Sequence, residues 1–171
     1  PMSFTNLAKK RCSIRAYEPR PVEPEKIAAI VEAAHVAPSA ANRQPVRLIQ
    51  VESAEGLAKL GKSANLYGAP LAFVVCADAE RAWKRSFDGM ASTDIDASIA
   101  CDHMMLAAAD QGLGSVWICA FDPTGVRAAF DLPASLVPVN ILAVGHAEGE
   151  WKSPERHAAE RIPISELVTK A

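Results

Sequence analysis

Apolar residues recur along the chain with two periods, and the switches between them mark out the elements. In PEKIAAIVEAAHV, Ile27, Ile30, Val31 and Ala34 fall at helical spacing, Pro24 suits the first turn and Pro38 ends the helix. A shorter helix is predicted over residues 3–10, with Ser3 or Thr5 as its cap. RLIQVE (47–52) has the composition of a strand, and SAEGLAKLGK that of a short helix behind Ser53. APLAFVVCAD (69–78) is apolar throughout, which marks a central strand covered on both faces. A long helix is predicted over residues 93–111, ended by Gly112 or Gly114. SVWICAF then forms a strand, DPTGVRAAFDLP a short helix behind Asp122, and VPVNILAVGHA another buried strand. The tail, EGEWKSPERHAAERIPISELV, is polar and interrupted by prolines before a short amphipathic end.

Two consecutive helices before the first strand argue against a simple doubly wound sheet. With no repeat and no linker, the expectation is one domain over residues 1–171. Its class is α+β, in three layers. The long helix adds a second expectation. Between Ile95 and Leu113 its ionisable residues are Asp96, Asp102, His103 and Asp110, and alanines fill much of the rest. A helix apolar nearly all round is buried nearly all round. A domain of this size has difficulty covering such a helix alone, so a homodimer is expected.

Composition narrows the function. Half the residues are hydrophobic and the formal net charge is −2, so a general nucleic-acid binder is excluded and any anion site must be local. The longest uncharged stretch, 132–147, is broken by Pro133, Pro138 and Asn140 and falls short of the roughly 20 apolar residues of a membrane span. Cys12, Cys76, Cys101 and Cys119 form no CxxC pair, and the opening PMSFTNLAKKRC lacks a signal peptide's apolar core. Reduced thiols in a cytoplasmic protein are therefore expected.

Several familiar sites fail on context. GLGS (112–115) leaves a helix and enters a strand, the reverse of a dinucleotide fingerprint, and Trp117 stands where the third glycine belongs. His35, His103, His146 and His157 have no metal-ligand spacing, and Ser39 has no nucleophile elbow. Asp94 and Asp96 suit the dipole at a helix start better than a metal.

Three segments carry chemistry when taken together. In RCSIR, alternate residues of an extended segment set Arg11, Ser13 and Arg15 on one face, where two guanidinium forks and a hydroxyl match a phosphate and its attached chain. Alone, this cluster reads better as solvated arginines following a helix. APSAANRQP (37–45) is a helix exit and polar loop in which Asn42 and Gln44 offer donors and acceptors, or serve only turn chemistry. Residues 112–122, with Arg161 of the tail, combine an apolar strand end and a cation, and a core strand accounts for the former equally well.

Together these segments resemble the nitroreductase family of flavin enzymes, in its compact single-domain branch. RCSIR is similar to that family's R-x-S-x-R opening, APSAANRQP to its second hallmark, and GLGSVWICAFDP and ERIPISELV to its third and fourth. The likeness runs from Phe4 to Val168. It implies a three-layer fold with a mostly antiparallel central sheet flanked by helices, and a homodimer holding two FMN molecules at its interface. Arg11, Cys12 and Ser13 would then lie at the phosphate and ribityl end, joined by Arg161, with Arg15 nearer the pyrimidine edge. Pro38, Ser39, Ala40 and Asn42 would reach the flavin from the other subunit. Ile118, Cys119 and Ala120 would bring backbone amides to the redox-active nitrogen.

The activity implied is ping-pong reduction of nitroaromatics, quinones or similar small electrophiles by NADH or NADPH. Reductive dehalogenation, flavin fragmentation and non-catalytic flavin binding are the alternatives on the same fold, and residues 80–93 are the one candidate lid. Three positions depart from the family pattern. Cys119 stands where some relatives carry an acidic residue, and Val46 where Trp is common. Ala159 stands where a second basic residue often precedes Arg161, with Arg156 as its possible substitute.

Overall fold

Two buried strands organise the computed structural model, which describes all of residues 1–171. The sheet has the order β1-β2-β4-β3, with β1 Val46–Val51, β2 Leu71–Asp78, β3 Gly114–Ile118 and β4 Leu136–Gly145. Every pairing between these strands is antiparallel. The apolar run predicted as a central strand is β2, buried from Leu71 to Ala77.

The strand period of two divides β2 between two cores. Ala72, Val74 and Cys76 join Ile141 and Ala143 of β4 on one face, with Cys12, Ile14, Leu60 and Val126 packed over them. Leu71, Phe73 and Val75 join Leu142 and Val144 on the other, beneath Ile30, Cys101, Met104 and Ala108. The molecule is thus three layers, as expected. Burying a side chain such as Phe73 completely stabilises the fold by about 1.5–3 kcal/mol.

The helices begin where their caps direct. Ser3 accepts from the Asn6 amide to open α1 (Phe4–Lys10), and Ser53 accepts from the Gly56 amide to open α3 (Ala54–Gly61). Asp122 accepts from the Thr124 amide to open α5 (Pro123–Ala129). Pro24 is the first residue of α2 (Pro24–Val36). Gly112 ends α4 (Thr93–Asp110): its φ is +76°, its amide donates to Ala109 O and that of Leu113 to Ala108 O. This is a Schellman stop, which requires the left-handed region that glycine enters freely. In the tail lie α6 (His157–Glu160) and α7 (Ile164–Leu167), which bury no residue.

Within the chain, the sheet packs against one side of α4 and α1 and α2 against others. Asp94, Ile95, Asp102 and Asp110 of this helix are exposed, and Ile99, Met105 and Leu106 are half-buried. The larger exposed apolar surface is in the tail, at Ile162, Ile164, Leu167 and Val168. No helix is long and apolar enough to cross a membrane.

Candidate functional site

The 11–15 segment lies alongside β3 as a short extra strand. Ser13 bridges Ser115 in parallel, and the Ile14 amide donates to Ser115 O at 2.9 Å. Extended backbone then sorts the side chains by parity. Cys12 and Ile14 are buried in the core, while Arg11 and Ser13 are half-buried and Arg15 is exposed. Gly114 allows this approach. A Cβ there would lie 2.8–2.9 Å from three side-chain carbons of Ile14, closer than packing tolerates. The glycine considered as a helix stop is thus a contact point for the candidate site, and Gly112 alone ends the helix.

Tail residues complete the same corner. Arg156 donates from Nη2 to Arg11 O at 2.7 Å and from Nη1 to Ser153 O at 2.9 Å and Lys9 O at 3.2 Å. The His157 ring lies 3.2 Å from Lys9 O. The unpaired carbonyls at the end of α1 thus fasten the tail, as basic groups at a helix C-terminus do. Arg156 grips the backbone beside the candidate anion site with both its terminal nitrogens. Burial lowers the Arg11 pKa from its ordinary value, and the nearby Arg156 and Arg161 charges lower it further, against the opposing influence of Cys12 and Asp102. Arg11, Arg15 and Arg161 form no ion pair, and Ser13 has no side-chain hydrogen bond within the chain. Converging cations without a carboxylate partner fit an anionic group such as a phosphate.

Beyond Ile118 the chain leaves β4, so this strand is shorter than the predicted SVWICAF. Phe121 bridges Ala64 instead, and the Asp122 amide donates to Ser63 O at 2.8 Å. Cys119 and Ala120 are exposed in this crossing. The Cys119 thiol is directed to Asn140 Oδ1 at 3.7 Å, which also accepts from Trp117 Nε1 at 2.8 Å. Cys12 and Ile118 are buried, 3% and 7% exposed, so a contact from either to a ligand would come from its backbone.

Ala120 also lines a cleft of about 770 Å³ whose other wall includes Lys62, Asn65 and Tyr67. The Arg15 guanidinium lies 5.9 Å from the centre of the Tyr67 ring. Asn65 Oδ1 accepts from the Tyr67 amide at 2.9 Å, leaving the Asn65 side-chain amino group free. These wall residues escaped the sequence reading. Their only local signal is a polar stretch between α3 and β2, indistinguishable from a plain connector.

The 38–44 loop stands apart. No hydrogen bond or ion pair joins it to the 11–15 segment or to the tail. Ala41, Asn42 and Gln44 have φ of 50°, 50° and 53°, a left-handed conformation that costs a residue with a Cβ about 1 kcal/mol or more. Surrounding bonds hold it. Asp96, 1% exposed, accepts from the Ala40 amide at 2.9 Å and the Ser92 hydroxyl at 2.7 Å. Ser39 Oγ accepts from the Gln44 amide at 2.9 Å, so its own proton remains available. Asp96 is thus a loop anchor, and no cluster with metal-ligand character exists. Residues 84–91 close a tight turn of their own, with Arg85 forked onto Asp88 at 2.8 and 2.6 Å and Phe87 almost fully exposed.

Comparison with known proteins places this geometry. The model of the Nitroreductase family matches residues 8–65 and 58–146. A nitroreductase family protein from Clostridium difficile 630 superposes with a TM-score of 0.96 at 50% identity, each chain covered to 98%. An FMN-dependent nitroreductase from Clostridium difficile R20291 superposes with a TM-score of 0.72 at 30% identity, over 86% of this chain and 89% of the other. An FMN reductase [NAD(P)H] from Bacillus subtilis is 33% identical over 162 residues, 83% of this chain and 65% of the relative.

Proposed function

The chain belongs to the nitroreductase family, and from that premise we propose that it is an FMN-dependent oxidoreductase that takes electrons from NAD(P)H. The observation that carries this reading is a set of arginines without carboxylate partners on the segment docked on β3: Arg11 feels the charge of Arg161, and Arg15 lies over Tyr67, which lines a cleft together with Ala120. The phosphate would lie at Arg11 and Arg161, with Ser13 donating to the ribityl end and Cys12 contributing only its amide. Arg15, over Tyr67, would face the pyrimidine edge, where a cation favours the reduced flavin. Amides from Ile118 to Ala120 would face the redox-active edge. Bound FMN supplies the hydride chemistry that no side chain here can perform. The protein's part is to fix the phosphate, to offer donors along the ring and to leave one open face.

Pro38, Ser39, Ala40 and Asn42 complete the site from a second copy of the chain in this reading. Their separation from the 11–15 segment supports it, as do the exposed Ile162, Ile164, Leu167 and Val168 of the tail, which a second copy would cover. One shared face over the ring gives ping-pong turnover, in which the dinucleotide leaves before a nitroaromatic, quinone or similar acceptor enters. The whole chain acts as one domain, and a cytoplasmic setting suits its reductant.

The test is an absorbance spectrum of the purified protein followed by anaerobic titration with NADH and NADPH. A flavin spectrum that bleaches is expected, with parallel lines in double-reciprocal plots at varied acceptor. A flavin that neither dinucleotide bleaches would leave only a binding role, and intersecting lines would remove the ping-pong scheme.

A further inference from the structure

Arginines in this fold divide by their partners. Arg20 and Arg85 are ion-paired with carboxylates. Arg11 and Arg161 belong to the site already described. Arg43 and Arg81 have neither role. They are hooked to each other's backbone: Arg43 Nε donates to Arg81 O at 3.1 Å, and Arg81 Nε donates to Arg43 O at 3.3 Å. This reciprocal contact fixes each guanidinium beside the other residue's backbone. It uses only the Nε atoms, so both terminal nitrogens of each guanidinium remain without a protein partner.

The pair borders a cleft of about 340 Å³ with Asn42 and Glu80, and Glu80 forms an ion pair with neither arginine. Arg81 also borders a second cleft of about 260 Å³, together with Ser39, Gln44 and Arg47. Arg47 is likewise bound only to backbone, at Gln44 O and Val46 O. Asp96, the one carboxylate lining that cleft, is already engaged by the Ala40 amide and the Ser92 hydroxyl. The surface beside the 38–44 loop therefore carries fixed positive charge with its hydrogen-bond donors free.

We propose that Arg43 and Arg81 bind the 2′-phosphate of NADPH and so give the protein a preference for NADPH over NADH; this rests on the reading of the chain as a dinucleotide-dependent flavin enzyme. A phosphate monoester carries nearly two negative charges on one phosphorus at neutral pH, which matches two guanidinium forks, whereas the pyrophosphate bridge spreads its two charges over two phosphorus centres. Arg43 follows Asn42 directly in the loop assigned to the flavin. Arg47 adds charge from the far side of Arg81 without being required as a ligand.

The experiment compares FMN-loaded wild type with Arg43→Gln and Arg81→Gln. In each variant kcat/KM for NADPH is expected to fall roughly 10–100-fold, with that for NADH changed less than about threefold. Equal losses with both dinucleotides, or no loss with either, overturn the proposal. Arg81→Gln lies outside the 38–44 loop and keeps the test decisive if Arg43→Gln disturbs that loop. Calorimetric titration of the same proteins with adenosine 2′,5′-bisphosphate and adenosine 5′-monophosphate needs no turnover. Wild type should prefer the bisphosphate, and both variants should lose that preference. A preference kept by the variants, or absent from wild type, rejects the site even in a protein whose flavin fails to bleach.

Discussion

Two arginine clusters without carboxylate partners differ in how the chain builds them. Arg11 lies in a segment docked on β3, and the guanidinium of Arg156, 145 residues away, holds its backbone. Arg43 and Arg81 are 38 residues apart and hold each other's backbone at the exposed surface. In the first, burial and neighbouring cations lower the Arg11 pKa. The difference suits two kinds of ligand. A resident cofactor warrants a site built into the core, whereas a co-substrate that must leave in every cycle is better served by exposed, prefixed donors. Screening by salt weakens the second more than the first.

The strongest test of this contrast removes a cation of the first cluster. Arg11→Ala or Arg161→Ala should weaken FMN binding on the order of 100-fold, because charge-assisted hydrogen bonds contribute about 1.5–3 kcal/mol each. Fluorescence titration of the apoprotein measures it, with circular dichroism to confirm the fold. Unchanged affinity in both variants would refute the phosphate assignment and erase the distinction between the clusters.

The loop side is probed through its anchor. Asp96→Ala leaves the Ala40 amide and the Ser92 hydroxyl without their partner. A loss of about 2 kcal/mol in urea unfolding is expected, together with faster hydrogen exchange at residues 40–44. Exchange unchanged in the loop would show that its left-handed residues are held by something other than Asp96.

A smaller effect is expected where the 11–15 segment meets β3. Gly114→Ala drives a methyl group into Ile14, costing about 1–2 kcal/mol. FMN affinity should fall as well, because the segment carrying Arg11 must shift. A variant with normal stability and FMN affinity would show that this approach is looser than the distances imply.

Much of this was legible in the residues. The buried β2, the caps at Ser3, Ser53 and Asp122, and the opposite facing of Cys12 and Arg11 all follow from local rules. The α4 composition left open how much of the helix its own chain covers, because that depends on which elements pack against it. The role of Gly114 was also hidden, since a glycine that ends a helix and one that admits a neighbouring side chain look alike in sequence. Asn65 and Tyr67 carried no signal beyond that of a connector.

By itself the sequence determined the periods, and with them the elements, their buried faces and the parity of RCSIR. Those are properties of backbone dihedral angles over a few residues, which neighbouring side chains dictate. Only the tertiary structure decided which cations converge. Arg156 reaches Arg11 because the tail packs on the end of α1, and Arg43 meets Arg81 because the turn after β2 returns beside the loop before β1. A guanidinium at the end of a long flexible side chain has no position until packing across the whole sheet supplies one.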